Sequence, residues 1–453
     1  MRTLFMFLIA LSLCVGNARG QSQPLDAYLE EGLANNLLLQ EKNLSLDRAL
    51  NAVQVAKSMY LPAVDLDVAY SHAKGGRSIE LPVGDLLNPV YNTLNALTQS
   101  LAFPQIGNET INFLPQNYYD AKIRTVMPLL NTDLGYNQRI KAATVKLQEN
   151  EVEIYKRELI KEIKSAYYQY LTAVQVREIY HSSLALAQEG LRVNQKLLDA
   201  GKGLPAYVIR AQSEIAGIEA QVAESEKNIK NAGLYFNMLL NRGGDAEILE
   251  DDMLAKDALW SLQDWGKVDA SAREELSSLE TGIAIQESVL KMNKQYLVPK
   301  ISGFFDLGSQ AEGLKFNEDS RYYMVGLSMK MPIFQGNRNR LKVQEAKVDL
   351  ASSRNKKAQV EQQLAMAIGV ARNEVLSAFK DFEKAKVQLE TAGTYQRLIQ
   401  KGFAAGVNTY METIDARSQY THAKLAETIS KLQILAALAK LERESATYQI
   451  PQQ

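Results

Sequence analysis

Cysteine is almost absent: the 453-residue chain has one, Cys14, inside the apolar run that opens the sequence. That opening reads as a secretory signal peptide over 1–20. Basic Arg2 precedes an apolar run from Leu4 to Val15, and Ala18-Arg19-Gly20 offers a small-x-small cleavage site before Gln21. Cleavage there leaves a mature chain without cysteine, hence without a disulfide, a cysteine metal site or a thiol nucleophile. A lipoprotein reading would make Cys14 the acylated residue, but Leu13 before it is larger than the small residue usual at that place. The run is too short and wrongly flanked to serve as a membrane anchor.

Histidine is also scarce. His72, His181 and His422 form no HExxH or similar ligand pair, so no metal site is expected. His181 falls one heptad after Val174 and reads as a helix-seam residue rather than a ligand. There is no Walker loop, nucleophile elbow or GxGxxG, and Gly75-Gly76 reads as a turn, so neither a cofactor nor an enzymatic activity is expected. Charge of one sign is missing too. Without Arg2 and Arg19 the balance is 49 basic against 52 acidic side chains, which gives no support for nucleic-acid binding. No apolar run after residue 20 approaches the length of a transmembrane helix.

What the chain does have is repetition. Pro62 in MYLPAVDLDVAY recurs as Pro299 in QYLVPKISGFFDLGS, 237 positions on, and Met127-Pro128-Leu129 recurs as Met331-Pro332-Ile333 at an offset of 204. The stretch GKGLPAYVIRAQS returns as GVNTYMETIDARS, with Gly201/Gly406, Ala211/Ala416 and Ser213/Ser418 in register. One plan (helix, strand pair, long helix, tight turn, long helix) is used twice, which is the mark of duplication.

Leu25 to Tyr60 reads as two short amphipathic helices that end where Pro62 forbids continuation. Two strand pairs follow from period-2 alternation, at about 63–73 and 117–128, then at about 300–310 and 320–332. Val64, Leu66, Val68 and Tyr70 share one face opposite Asp65, Asp67 and Ser71. Tyr119, Ala121, Ile123, Thr125 and Met127 oppose Asp120, Lys122 and Arg124. Ile301, Gly303, Phe305 and Leu307 oppose Ser302, Asp306 and Gln310, and Tyr323, Val325, Leu327, Met329 and Met331 oppose Gly326, Ser328 and Lys330. Segments of about ten residues are long enough to cross a bilayer as tilted strands. On that reading Asp65, Asp67, Lys122, Arg124 and Asp306 face a polar lumen, and Tyr60, Tyr70, Tyr118, Tyr119, Tyr322 and Tyr323 form an interfacial girdle. A soluble sheet with one wet face would show the same alternation; the signal peptide and the repeat favour the membrane. The loop at about 74–116 carries Pro82, Pro89, Pro104 and Pro115 and reads as too broken for one element. The change of offset makes it 33 residues longer than its partner at 311–320.

Asn131 to Ala200 contains no proline, and 70 residues of helix would run about 105 Å. Gly336 to Lys401 is similar. Its seam is a heptad: Ile368, Ala371, Val375, Ala378, Phe382, Ala385, Leu389, Ala392. The returning helix offers Leu425, Thr428, Leu432, Leu435 and Ala439, and the first copy Ile163, Tyr167, Tyr170 and Val174. The organisation expected is a first repeat over 21–242, an acidic linker with Trp260 and Trp265 over 243–273, a second repeat over 274–446 and a tail over 447–453.

Four strands cannot close a barrel, and an open sheet edge is not tolerated in lipid. If the strands span a membrane, several chains must share one barrel, with the long helices projecting from it. At this point the sequence resembles the TolC family of outer-membrane efflux proteins over essentially all of residues 25–445. The proline junctions, Met127-Pro128 with Met331-Pro332, and the two glycine-bearing turns carry the resemblance. It implies a mainly helical fold with a membrane β-barrel: a homotrimer with a 12-stranded barrel in outer-membrane lipid and an α-helical barrel in the periplasm. It also implies docking to a periplasmic adaptor (membrane fusion) protein and an inner-membrane pump of RND or ABC type.

The family's turns read V-G-L-x-x-x-x-D and form the periplasmic tip. The resemblance therefore places tip and adaptor contacts at Gly201, Gly203, Leu204, Gly406 and Val407. Its acidic positions fall on Tyr207 in the first copy, a departure, and on Glu412 in the second, with a further acid at Asp415. Glu412 and Asp415 share a helix face and would line the periplasmic gate, although solvated helix carboxylates would look the same. The latch positions fall on Tyr207 and Asn408, a departure from the family's charged pair that still permits a neutral hydrogen bond. The rival readings are a periplasmic coiled-coil adaptor, which lacks its glycine- and valine-rich β domain here, and a helical-scaffold enzyme, which lacks a site.

Overall fold

The computed structural model describes residues 24–250 and 270–448. The expected signal peptide, Cys14, Trp260, Trp265 and most of the expected linker lie outside the described residues. The elements in chain order are α1 (Pro24–Asn35), α2 (Leu37–Ser58), β1 (Ala63–His72), β2 (Ser78–Leu81), α3 (Val83–Thr98), β3 (Glu109–Asn112), β4 (Asn117–Leu130), α4 (Thr132–Asp199) and α5 (Pro205–Leu239). After the linker come α6 (Glu274–Lys294), β5 (Lys300–Glu312), a 3-10 turn (Glu318–Ser320), β6 (Arg321–Lys330), α7 (Arg338–Ala404) and α8 (Tyr410–Ser445). In space the chain forms two compact units, each taking segments from both repeats. A helical unit comprises the chain up to Leu50, Ala143–Ile285 and the chain from Asp349; a strand-bearing unit comprises Asn51–Ala142 and Gln286–Val348.

In the helical unit, the main core gathers Leu25, Tyr28, Leu29 and Leu33 of α1, Leu159, Ile163, Tyr167 and Leu171 of α4, Phe236 and Leu239 of α5, and Leu432 and Leu435 of α8. Burying such side chains stabilises the unit by about 1.5–3 kcal/mol apiece. The ring of Tyr28 meets that of Phe236 edge-on at 5.1 Å, and the Tyr167 hydroxyl donates to the Leu249 carbonyl at 2.9 Å. The α7 seam packs as the heptad requires: Ile368, Ala371 and Val375 are buried with Leu441 of α8, and Ala385 and Ala392 are buried further along, while Ala378 is half-buried. In α4 the heptad extrapolation fails beyond Val174. The buried row passes through Ile179, Ser183 and Ala187, so His181 is exposed rather than in the seam. The end of α8 and Tyr448 are held by Arg157, which donates to the carbonyls of Ala446 and Tyr448 at 3.3 and 2.9 Å.

In the strand unit, β1-β4-β5-β6 form one antiparallel sheet and β2-β3 a short ribbon. The long loop is more ordered than its prolines suggest. α3 occupies it, with Pro89 inside the helix, and Asn88 and Asn95 fasten it to an extended segment. Each asparagine both donates to and accepts from one backbone residue, Ile106 and Phe103 respectively, at 2.7–3.0 Å. Two amide side chains thus replace the strand partner that the segment lacks.

Candidate functional site

The registers align the sheet's charged side chains in rows. Asp65 lies opposite Arg124, and Arg124 opposite Asp306; Asp67 lies opposite Lys122, and Lys122 opposite Gly308. Because side chains alternate along a strand, Asp65, Asp67, Lys122, Arg124 and Asp306 all sit on one face. Lys122 donates to Asp120 at 2.6 Å, and the Tyr322 hydroxyl donates to the other oxygen of Asp120 at 2.9 Å. Arg124 pairs with Asp306 at 3.4 Å while its guanidinium lies over the Phe304 ring. Asp306 is only 3% exposed. Gly308 makes room for this cluster, since a Cβ there would stand 2.8 Å from that of Lys122.

The opposite face carries Val64, Leu66, Val68, Tyr70, Ile123, Leu307, Val325, Leu327 and Met329, all exposed. A sheet with one charged face and one apolar exposed face is built to separate water from lipid. Two members of the charged cluster, Asp120 and Tyr322, stand out only once the strands are paired. Tyr322 therefore belongs to the polar face, not to an aromatic girdle. Tyr118, on the same face, donates to Gln310 at 2.6 Å. Tyr119 is buried and bonded to Ser309 and the Lys315 carbonyl, whereas Tyr70 and Tyr323 are exposed.

The helical unit holds the two turns. Gly201 has φ +69° and Gly406 φ +77°, the left-handed conformation that lets a helix end in a Schellman turn. In the first, Lys202 N–H donates to the Leu197 carbonyl and Gly201 N–H to that of Leu198; in the second, Val407 N–H donates to Gly402 and Gly406 N–H to Phe403. Gly203 packs on backbone, where a Cβ would stand 2.6 Å from Leu198 N. Leu204 and Val407 are exposed at the bends.

Thr409 caps α8, and Glu412 completes a capping box by accepting from the Thr409 N–H at 2.6 Å. Asn408 donates to the same carboxylate at 3.2 Å. The Thr409 N–H, the Asn408 amide and the Thr409 hydroxyl hold the Glu412 carboxyl below its ordinary pKa. Asp415, also exposed, accepts from Gln419 at 2.8 Å. Among the described residues no hydrogen bond joins the expected latch positions within one chain. Asn408 is engaged by Glu412, and the Tyr207 ring lies 5.8 Å from that of Tyr410, in a cluster with Ala211, Ile414, Leu191 and Phe403. Burial raises the Tyr410 hydroxyl pKa.

Sequence reasoning missed the pair that holds this end of the helices. Arg417 of α8 meets Glu214 of α5 through two hydrogen bonds. Nothing local in the sequence marks two residues so far apart as partners. Among the described residues there is no acidic or histidine cluster able to hold a metal, and no helix is long and apolar enough to cross a membrane.

A strand sheet of this two-faced kind, joined in one chain to helices of up to 68 residues that turn back at paired glycine bends, defines the protomer of a membrane duct with a helical extension. The chain belongs to the outer membrane efflux protein family, whose profile matches residues 28–242 and 271–445. It is therefore an outer-membrane exit duct for efflux or secretion. The alkaline protease secretion protein AprF of Pseudomonas aeruginosa is 19% identical over 341 residues, 73% of this chain and 70% of AprF. In fold it is similar to the outer membrane protein VceC of Vibrio cholerae, with TM-score 0.72 at 14% identity, covering 93% of this chain and 95% of that one. It is equally similar to the open MtrE outer membrane channel of Neisseria gonorrhoeae, with TM-score 0.72 at 14% identity, covering 93% and 88%.

Proposed function

We propose that three copies of this chain share one 12-stranded barrel in outer-membrane lipid and serve as the passive exit duct of a tripartite efflux pump. The observation that carries this is the four-stranded sheet with an exposed apolar face, a charged face and two unpaired edges. Open edges are not tolerated in lipid, so the sheet needs copies of itself. Asp65, Asp67, Lys122, Arg124 and Asp306 then line the lumen. The bends at Gly201, Gly203, Leu204, Gly406 and Val407 meet a periplasmic adaptor, and an inner-membrane pump of RND or ABC type supplies the cargo. Glu412 and Asp415, repeated by threefold symmetry, line the periplasmic mouth. The duct itself catalyses no reaction.

Protein export through the same duct is the second reading, favoured by the likeness to a protein named for alkaline protease secretion. The test is native mass measurement of the protein extracted from outer membranes, together with conductance in planar bilayers. A trimer with discrete channel steps is expected. A lipid-embedded monomer with intact strands overturns the proposal. Loss of drug resistance against loss of a secreted protein on gene deletion separates the two cargo classes.

A further inference from the structure

The four strand ends that join the helices lie together at one end of the sheet. There β1 begins at Ala63 opposite Val126, β5 begins at Lys300 opposite Lys330, and β4 runs on to Leu130 opposite Ile301. Every passage between sheet and helix repeats one order of side chains. At the strand come exposed apolar residues: Leu61 before β1, Leu130 closing β4, Leu297 before β5 and Phe334 after β6. Rings stand next, Tyr60, Tyr136 and Tyr296, with Phe334 serving as both. Bases follow: Lys57, Arg139, Lys291 with Lys294, and Arg338 with Arg340. The Arg139 guanidinium lies over the Tyr136 ring at 5.6 Å. All six bases are exposed, and none has an ion-pair partner among the described residues. The segments 57–63, 130–139, 291–300 and 330–340 hold one acid, Asp133, and Lys300 occupies it. At the opposite end of the sheet the balance reverses, with six acids against four bases in 73–116 and 311–321.

We infer that these six bases form a collar that binds the negatively charged headgroups of phospholipids in the leaflet on the helix side of the membrane. The inference rests on the reading that the apolar sheet face lies in lipid, and adds which lipid the chain selects and on which side. Apolar residue, ring, base is the order in which a chain leaves a bilayer: hydrocarbon, interface, phosphate. Clustered bases just outside the hydrocarbon attract anionic lipids in proportion to their number, and the collar is continuous with the apolar face. The acidic far end of the sheet repels such headgroups, so the preference is one-sided.

Helix chemistry accounts for half of the collar and not for the rest. Lys57 ends α2, and Lys291 and Lys294 end α6; cations in a last turn complement the helix dipole. Arg338 and Arg340 instead open α7, whose first turn holds no acid. Positive charge there opposes the dipole, so the helix gains nothing from these arginines. A phosphate beside them offsets the mismatch. Phe334, four residues before Arg338, is 82% exposed, which places a ring for the acyl boundary next to the two guanidinium groups.

Lipid retention tests the collar. The full protein, extracted from outer membranes, is reconstituted into vesicles of equal parts phosphatidylcholine and phosphatidylglycerol, and the lipids it keeps on release are counted by native mass measurement. The parent should retain phosphatidylglycerol several-fold over phosphatidylcholine, and the ratio should fall as salt is raised. Lys57→Gln, Lys294→Gln, Arg338→Gln and Arg340→Gln together should bring the ratio close to parity, whereas Arg338→Lys with Arg340→Lys should keep it. Lys386→Gln with Arg397→Gln, which removes charge from the helical unit, should change nothing. If the four-fold variant does not assemble, Arg338→Gln with Arg340→Gln decides the matter by losing part of the preference or, against the collar, none of it. A parent without preference, or a preference that survives the four changes, overturns the collar and leaves the duct reading standing. Altered ion selectivity of the channel with an unaltered lipid ratio would mean that the bases face the lumen, and also overturns it. If neither parent nor variants enter vesicles of any composition, the lipid-facing reading of the sheet itself falls.

Discussion

Arg417 binds Glu214 with both sides of its guanidinium, Nε to Oε1 at 3.1 Å and Nη2 to Oε2 at 2.6 Å, and its third nitrogen donates to the Leu186 carbonyl at 2.9 Å. One side chain therefore ties α8 to α5 and to α4. Arg417 is 7% exposed, and the Tyr410 hydroxyl packs beside it against Gly190. The two helical hairpins are thus fixed to each other a few turns from their bends.

Breaking this pair from one side should cost more than deleting it. Glu214→Ala strands a buried guanidinium, at about 3–5 kcal/mol. Glu214→Met with Arg417→Met replaces the pair by apolar packing and should recover much of that loss. Thermal unfolding followed by helical circular dichroism measures both variants. A double variant as unstable as the single one would mean that attraction within the pair outweighs the desolvation of its charges.

The alanines of the α7 seam make a second prediction. Ala371 and Ala385 are buried, at 0% and 2% exposure, and Ala378 is half-buried. Leucine at Ala371 or Ala385 should cost about 1–3 kcal/mol by overpacking, and leucine at Ala378 less. In a trimer each change is repeated three times, so Ala371→Leu with Ala385→Leu should reduce trimer yield and export. Normal yield in that variant would show that the helices can part without consequence.

Much of this architecture is legible because duplication and periodicity are properties of the chain itself. The offsets that align Pro62 with Pro299 and Met127 with Met331 are the offsets that carry one strand register onto the other. Strand faces follow from alternation, so Asp65, Lys122 and Asp306 fall together without any knowledge of contacts. What escaped the sequence depends on partners far along the chain. Glu214 and Arg417 look like ordinary helix charges until α5 and α8 are packed. His181 was misplaced because the buried row of α4 leaves its heptad spacing after Val174. The α3 helix was hidden by its prolines, since the asparagines that stabilise it act through Phe103 and Ile106, outside the helix.

That loop supplies a third prediction. Asn88→Ala and Asn95→Ala each remove one donor and one acceptor from the extended segment, leaving the N–H and carbonyl of Ile106 or Phe103 without their partner. Unsatisfied groups of this kind cost about 1–3 kcal/mol when buried, and somewhat less here because the sites are half-buried. The effect should stay local. Limited proteolysis of the purified protein should cut within 99–108 in the double variant and not in the parent, while trimer yield is unchanged. Equal resistance in both would mean that other contacts hold the segment in place.

The last prediction concerns the mouth of the duct. Glu412 has two roles that can be separated: it caps α8 through Thr409, and it contributes charge. Its folded-state pKa is depressed by the hydrogen bonds it accepts. The stabilisation therefore exists above the ordinary glutamate pKa, near ~4.3, and is lost as pH falls through the lower folded value. At neutral pH the carboxylate is charged, and in the proposed trimer it would make, with Asp415, a mouth of one sign that concentrates cations. Glu412→Gln keeps a capping-box side chain while removing the charge, and Asp415→Asn removes its neighbour's. This double variant should assemble normally, lose cation preference and lose block by a trivalent cation added from the periplasmic side of a planar bilayer. Should it be blocked as strongly as the parent channel, Glu412 and Asp415 do not line the mouth, and the placement of the second turn at the gate is wrong.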